Sequence, residues 1–516
     1  MSNLKEILLN EIPNFKENIY KFLNGEMSKM DFKGFSGGYG IYAQRDQKSF
    51  MIRLRVASGV LSKSQLNTVY HFATKYGIDK LHLTTRQAIQ LHNLSAEDLL
   101  SIMRDGIEND IYSRGSGGNF PRNVGLSPLS GVDPNEAFDV TPYAIATDKH
   151  FMSKITTYHL PRKLKVSYSS AYSDHAHCTI QDLGFIATMH NGEEYFRVFV
   201  GGGLGRNPRL ALELDKLIKP HEVLYYVEGL TNMFMEYGDY KNKHKARVRY
   251  MVENLGEDEF LNKFKEFVQK EKENGGLDLY PQPINYDKPG KKIDLVDPRL
   301  ITQKQDGLYS VYIHPIGGQL MTKDLKALLY ELDKIKNPMI RLAMTEGLFI
   351  LNLDGNEAKR ILEVTKNISG ISQLEHSVAC IGVPICQMGI QNSQKMLRDI
   401  ISYFKNNNHD DLLDKMPKIN ISGCPNSCAV HQIGKIGLTG KMKKIDGESV
   451  DAFEIHVDGN CEFTNTKLGN TLGDFKASDI PKMFVEIAQA IDNDFETFVS
   501  NNFDNLKEIT DKYKIW

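Results

Sequence analysis

The chain has 516 residues, 41% of them hydrophobic and 25% charged, with a formal net charge of −2. That balance fits a globular protein of roughly three or four domains and excludes a whole-surface attraction to nucleic acid or to an anionic membrane. Six cysteines are too few and too scattered for a secreted disulfide framework, and no apolar run reaches the ~18 residues of a membrane span. The start, MSNLKEILLNEIPNF, lacks the basic flank and apolar stretch of a secretory signal. A cytoplasmic location, with neither a nucleic-acid nor a membrane partner, is the expectation.

Residues 1–40 read as an N-terminal extension, closing on Gly37-Gly38-Tyr39-Gly40, a flexible turn by composition. In FMIRLRV the apolar residues alternate with Arg53 and Arg55, so a strand sends both guanidiniums off one face. Ser62-x-x-Gln65 is a capping box. It opens a helix whose apolar stripe is Leu66, Val69, Tyr70 and Ala73. Strands are predicted at 80–84 and 89–94, around a segment holding Thr84, Arg86, Gln90 and His92. FPRNVGLSP adds Arg122 and Asn123. LPRKLKV adds Lys163 and Lys165, two apart, so a strand points both ammoniums the same way. VFVGGGLGRN resembles a nucleotide loop, but G-x-G-x-x-G fails because Arg206 takes the last place. KHKARVRY contributes Lys245, Arg247 and Arg249, which fit a charged helical face equally well. A linker follows at 275–292, rich in Gly and Pro.

The chain then repeats itself. Residues 53–94 align without a gap on 312–353, at a constant offset of 259. Gly59, Leu61, Leu66, Leu83 and Asn93-Leu94 meet Gly318, Leu320, Leu325, Leu342 and Asn352-Leu353. Leu325, Leu328, Leu329 and Leu332 repeat the helical stripe, and 339–344 and 348–353 repeat the strands. Weaker echoes pair Leu160-Pro161-Arg162 with Met416-Pro417-Lys418, and Val200-Gly201 with Val457-Asp458. Each half reads as a small βαβ-rich module followed by a larger α/β module. The fold class is mixed α+β, internally duplicated.

The second copy alone carries clustered cysteines. Cys380 and Cys386 stand in ACIGVPIC, Cys424 and Cys428 in SGCPNSC: C-x5-C, 37 residues, then C-x3-C. Soft thiolates gathered in this way hold a soft metal centre. Zinc knuckles favour C-x2–4-C, so a four-thiolate iron–sulfur cluster is the better match. Cys178 and Cys461 are isolated and read as structural or surface thiols. The basic segments lie in the first copy, which suggests one shared site with metal from one half and cationic walls from the other. A Rossmann fingerprint, a flavodoxin-like domain and a C-x2-C-x2-C insert are all missing from the sequence, so electrons are expected from a separate protein.

The cysteine pattern, with its C-P-N-x-C pentapeptide, resembles the siroheme-dependent sulfite and nitrite reductase family. The resemblance implies pseudo-twofold halves, each a ferredoxin-like half module and a reductase module: an extension at 1–40, modules at 41–110 and 111–274, a linker at 275–304, and modules at 305–370 and 371–516. It implies a [4Fe-4S] cluster beside siroheme, with Cys428 bridging the two and Cys380, Cys386 and Cys424 holding the rest of the cluster. It places Arg53, Arg122, Lys163 and Lys165 on the substrate anion. Arg55, Thr84, Arg86, Gln90, His92, Asn123, Lys245 and Asn426 fall to the siroheme side, where eight carboxylates call for fixed cations and donors. Lysine at 165 is typical of sulfite reductases, asparagine of plant-type nitrite reductases. Glu346 replaces a glutamine frequent in the family and puts one siroheme hydrogen bond in question. The implied activity is six-electron reduction of sulfite to sulfide, with ferredoxin or a flavoprotein reductase subunit as donor. Nitrite reduction to ammonium with the same cofactors is the alternative. A cluster-only electron carrier is a remote third reading and would not need the first-half cations.

Overall fold

The duplication is visible strand by strand in the computed structural model, which describes residues 2–516. Two helices, α1 (Ser2–Leu23) and α2 (Lys29–Ser36), precede β1 (Ile41–Ala43), β2 (Phe50–Leu54), β3 (Val60–Leu61), α3 (Lys63–Lys75), β4 (Lys80–Leu83), β5 (Ile89–Leu94) and α4 (Ala96–Glu108). The predicted capping box opens α3: Ser62 Oγ accepts from Gln65 N, and the Gln65 side chain accepts from Ser62 N. A larger layer follows, with β6 (Gly125–Leu126), α5 (Thr141–Ser153), β7 (Val166–Ser169), β8 (Leu183–His190), β9 (Glu193–Val200), β10 (Leu212–Glu213), α6 (Val223–Tyr237), α7 (Val248–Leu255) and α8 (Glu257–Asn274). Residues 275–299 contain no helix or strand.

The second copy runs β11 (Leu300–Thr302), β12 (Leu308–Ile313), β13 (Gln319–Met321), α9 (Thr322–Leu332), β14 (Met339–Leu342), β15 (Leu348–Asp354) and α10 (Gly355–Thr365). Its larger layer has β16 (Val378–Ala379), α11 (Ser393–Asn406), β17 (Ile419–Ser422), β18 (Ile436–Ile445), β19 (Glu448–Val457) and β20 (Asn470–Lys476), then three short helices and β21 (Lys514–Ile515). The offset of 259 carries Ser58, Gly59, Gln87 and Asn93 onto Gly317, Gly318, Glu346 and Asn352, and all eight have a positive φ. Such backbone is costly for residues with a Cβ, so the shared positions mean shared turns.

The two small sheets exchange strands. Their orders are β1-β2-β5-β4-β13 and β11-β12-β15-β14-β3, so each copy closes the other copy's sheet. Ile52 and Leu83 share one buried core with Leu320, Ile340 and Ile350, and the half modules pack as a single unit. The larger sheets, β10-β9-β8-β7-β6 and β16-β17-β18-β19-β20-β21, keep separate cores.

In the larger sheets β6, β7 and β8 run parallel, as do β16, β17 and β18. Val166 faces Leu183 where Ile419 faces Ile436, which fixes an offset of 253 there. The echo between 160–162 and 416–418 is therefore misplaced by three residues, and Lys165, not Arg162, is the counterpart of Lys418. Val200 and Val457 remain counterparts, opposite Leu183 and Ile436. The strand predicted over Lys163 and Lys165 begins only at Val166, with Leu164 bridging to Pro121. Gly40 is not a loose turn: a Cβ there would stand 2.0 Å from Ser116 Oγ, so two backbone segments cross tightly at this point. Among the described residues, no helix is long and apolar enough to cross a membrane.

Candidate functional site

Both cysteine loops leave the C-terminal ends of the neighbouring parallel strands β16 and β17, the edge where open α/β sheets place their ligands. Cys380 N donates to Ile421 O at 3.1 Å, and Gly423 N donates to Cys380 Sγ at 3.2 Å. Gly423 O accepts from Ile390 N and Gln391 N, at 2.8 and 2.9 Å, and so fastens one cysteine loop to the other. Asn426, beside Cys424, acts to lower that thiol against burial. Burial raises the thiols of Cys380, Cys386 and Cys424, and Cys428 raises each of the three further. Four sulfurs crowded in this way repel as thiolates unless cations lie among them. Among the described residues no side chains close to single-ion spacing; a cluster with its own sulfides spans the wider gap.

The first half supplies the facing wall. Thr85 Oγ1 donates to Cys428 O at 2.7 Å. Lys163 and Lys165 both lie in the field of Cys428, which favours their charged forms. Burial and then Arg247 act against that charge: Lys163 is lowered well below its usual value, and Lys165 is pushed down to about 7. Both side chains keep some exposure to solvent, so an anion can reach them and offset the crowding of like charge.

Arg53 and Gln90 face each other across β2 and β5. With the Gln90 amide turned to suit its neighbours, its oxygen accepts from Arg53 Nη2 and Nε (2.9 and 3.0 Å) and its nitrogen donates to His92 Nε2 at 3.2 Å. Burial and Arg53 push His92 down to about 4, so it is neutral near pH 7. Arg122 donates to the carbonyls of Gly117, Gly118 and Phe120 at 2.7–2.9 Å. Tyr42, which the sequence did not flag, accepts from Gly118 N through its hydroxyl. Burial raises the Tyr42 phenol, but Arg122, Arg53, the Gly118 N–H and Lys33 together hold it below its usual value. Arg86 reaches Asn123 O, Val166 O, Ser167 Oγ and Gln181 Oε1 from a turn whose amides at 86 and 88 donate to Thr84 Oγ1.

Three residues expected on the siroheme side, Arg55, Asn123 and Lys245, sit differently. Arg55 is buried and engaged by protein. Its five N–H groups are taken by Asp148 and by the carbonyls of Gly115, Pro121 and Arg122, so it positions the loop that carries Arg122. Asn123 likewise gives both amide hydrogens to Val56 O and Gln87 O. Lys245 stays exposed, while Arg247 and Arg249 beyond it turn inward. Glu346, the position in question, is 1% exposed and accepts from Ala379 N. Because the Arg55–Asp148 pair is almost fully buried, Arg55→Leu should cost about 3–5 kcal/mol by stranding a carboxylate. Thermal unfolding of the two arginine variants checks this: Arg53→Leu, on a half-buried residue with no ion pair to break, should shift the midpoint far less.

Buried polar groups here fit an acidic ligand. Arg249 is buried with Nε and Nη1 unpartnered, and it lies against the glycine loop, with Nη1 3.0 Å from where a Cβ on Gly203 would stand. Arg247 is paired with Asp182 at 2.8 Å, while Arg249 faces the loop and Pro425 beyond it without a counter-ion of its own among the described residues. The mirrored position is closed. There Arg53, Arg86 and Gln90 become Tyr312, Thr345 and Phe349; the Tyr312 and Phe349 rings stack at 4.6 Å, and Tyr312 hydrogen-bonds Thr345 Oγ1 at 2.7 Å. At the offset of 253, Cys424 and Cys428 become Ala171 and His175.

Scaffold and site thus define a class: duplicated α+β proteins that set thiols of one half against cations of the other at a single centre. Residues 117–272 and 371–502 match the nitrite and sulphite reductase 4Fe-4S domain, and 42–108 match the nitrite/sulfite reductase ferredoxin-like half domain. The chain belongs to the nitrite and sulphite reductase family. It is 28% identical over 472 residues to a sulfite reductase (ferredoxin) of Mycobacterium tuberculosis, spanning 86% of this chain and 82% of that protein. It is also 28% identical over 449 residues to the assimilatory ferredoxin-dependent nitrite reductase of Haloferax mediterranei, spanning 82% and 76%. The solved structure of the Mycobacterium tuberculosis NirA protein aligns with a TM-score of 0.80 at 25% identity, covering 98% of this chain and 96% of that one.

Proposed function

We propose that this protein reduces sulfite to sulfide by six electrons at a coupled siroheme–[4Fe-4S] centre, fed by reduced ferredoxin or a flavoprotein reductase. The observation that carries the reading is the 2.7 Å hydrogen bond from Thr85 of the first copy to the Cys428 carbonyl, which sets the cysteine loops against the first half's cations, Lys163 and Lys165 among them. Cys380, Cys386, Cys424 and Cys428 would hold the cluster. Thr84, Arg86, Gln90, His92 and Arg249 would hold the siroheme, with Asn426 supporting Cys424. Bound there, the two groups would supply single electrons and an iron to take the substrate.

The chain's own residues do the rest. Arg53 and Arg122 are fixed by backbone carbonyls and Gln90; they meet an oxyanion without reorganising. Lys163 Nζ and Lys165 Nζ are the proton-bearing atoms with weakened affinity, suited to protonating oxygens as S–O bonds break. Nitrite reduction is the second reading, supported by the equal identity to the Haloferax mediterranei enzyme.

Steady-state assays on anaerobically purified protein test both. Reduced methyl viologen or ferredoxin should drive sulfite turnover, and NADPH alone should drive none. Protein that carries iron and tetrapyrrole yet reduces neither anion would end the proposal.

A further inference from the structure

Glu346 sits at the seam between the two copies, and no role above uses it. One carboxylate oxygen accepts from Ala379 N at 2.8 Å. The other stands 3.9 Å from His82 Nε2 of the first copy. Ala379 ends β16, and the next residue is Cys380.

The mirror residue shows what this position does. Gln87, at the offset of 259, has the same left-handed backbone and the same 1% exposure. Its side chain accepts from Leu126 N at 2.9 Å and donates to Leu126 O and Leu342 O at 2.9 and 2.7 Å. Leu126, at the offset of 253, is the counterpart of Ala379. Each side chain therefore fastens the first strand of its own large sheet to the seam of the small sheets. In the first copy that strand leads to Ser127; in the second it leads to Cys380.

We propose that Glu346 is a positioning residue for Cys380, pinning through Ala379 N the strand end from which that sulfur projects. The inference rests on Cys380 being a cluster ligand. A buried amide left without an acceptor is costly, and a shift of β16 would disturb the Gly423 N–H bond to Cys380 Sγ. Hydrogen bonds of this kind tune the potential and stability of iron–sulfur centres. Burial raises the Glu346 carboxyl well above its usual range against the opposing pull of Ala379 N–H.

The test uses anaerobic holoprotein carrying Glu346→Gln, Glu346→Leu or Glu346→Asp. The readouts are the rate of iron release to a chelator, the electron-spin resonance spectrum of the reduced cluster and the melting midpoint. Glutamine keeps the acceptor, so release should stay within about twofold of the parent. Leucine fills the space without an acceptor, and aspartate falls short of Ala379 N. Both should release iron roughly tenfold faster, with altered g values, the scale of losing an outer-shell contact. Aspartate carries the test if the leucine variant does not fold. Parent-like release and spectrum in both, even with a lower melting midpoint, would overturn the proposal and leave Glu346 a packing residue. Glutamine behaving like leucine would overturn it too, because the hydrogen bond would not be the cause. A parent protein without a cluster would instead refute the cysteine reading itself.

Discussion

Replacing Cys428 with serine should remove cluster and siroheme together and lower sulfite turnover by about a hundredfold or more. A serine hydroxyl does not ionise at neutral pH and is a hard ligand, so it cannot take the place of a soft thiolate on iron. Cys428 is singled out by its position between the halves. Its field reaches the other three thiols and both lysines of the facing wall, and its carbonyl is held by Thr85 of the first copy. Iron and extracted tetrapyrrole, quantified per chain, check the prediction. Cys461→Ser, at a position outside the set, should leave both contents unchanged. A Cys428→Ser protein that loses the cluster but keeps full siroheme would show that this thiolate does not serve both groups.

The fold was legible where periodicity and the offset of 259 spoke together, as in β4 and β14, which coincide residue for residue. The exchange of β3 and β13 was not. Strands of two and three residues carry no period, and their partners lie in the other copy. The change of offset to 253 in the larger sheets was hidden because the connections between modules differ in length. Sequence spacing placed Arg53 and Arg55 on one face and could go no further. What separates them is Asp148, 93 residues on, which takes Arg55 out of the site. Arg249 and Lys245 looked alike for the same reason, until the start of α7 turned one inward and left the other in solvent. Gln87 and Tyr42 gave no signal because a lone amide or phenol is common; only their partners make them informative. The cysteines and the basic segments stood out in the sequence because such chemistry constrains residue type and spacing at once.

Lys165→Asn should lower kcat/KM for sulfite by roughly tenfold or more, at 1.4 kcal/mol per decade, and affect nitrite much less. Sulfite is mainly a dianion near neutral pH and nitrite a monoanion, so a second ammonium beside Lys163 favours the more highly charged ligand. Burial, Arg247 and Arg86 push Lys165 down to about 7, with Asp182 and Cys428 acting the other way. An anion that binds beside it therefore also restores its proton, and the dianion does so more strongly. Asparagine keeps a hydrogen-bond donor and removes the charge, which separates electrostatics from simple contact. Arg53, Arg122 and Lys163 remain to hold a monoanion. Both substrates should be measured on one preparation and normalised to siroheme content. Equal losses for sulfite and nitrite would mean that Lys165 holds a cofactor carboxylate instead of the substrate, and no loss for either would place it outside the reaction.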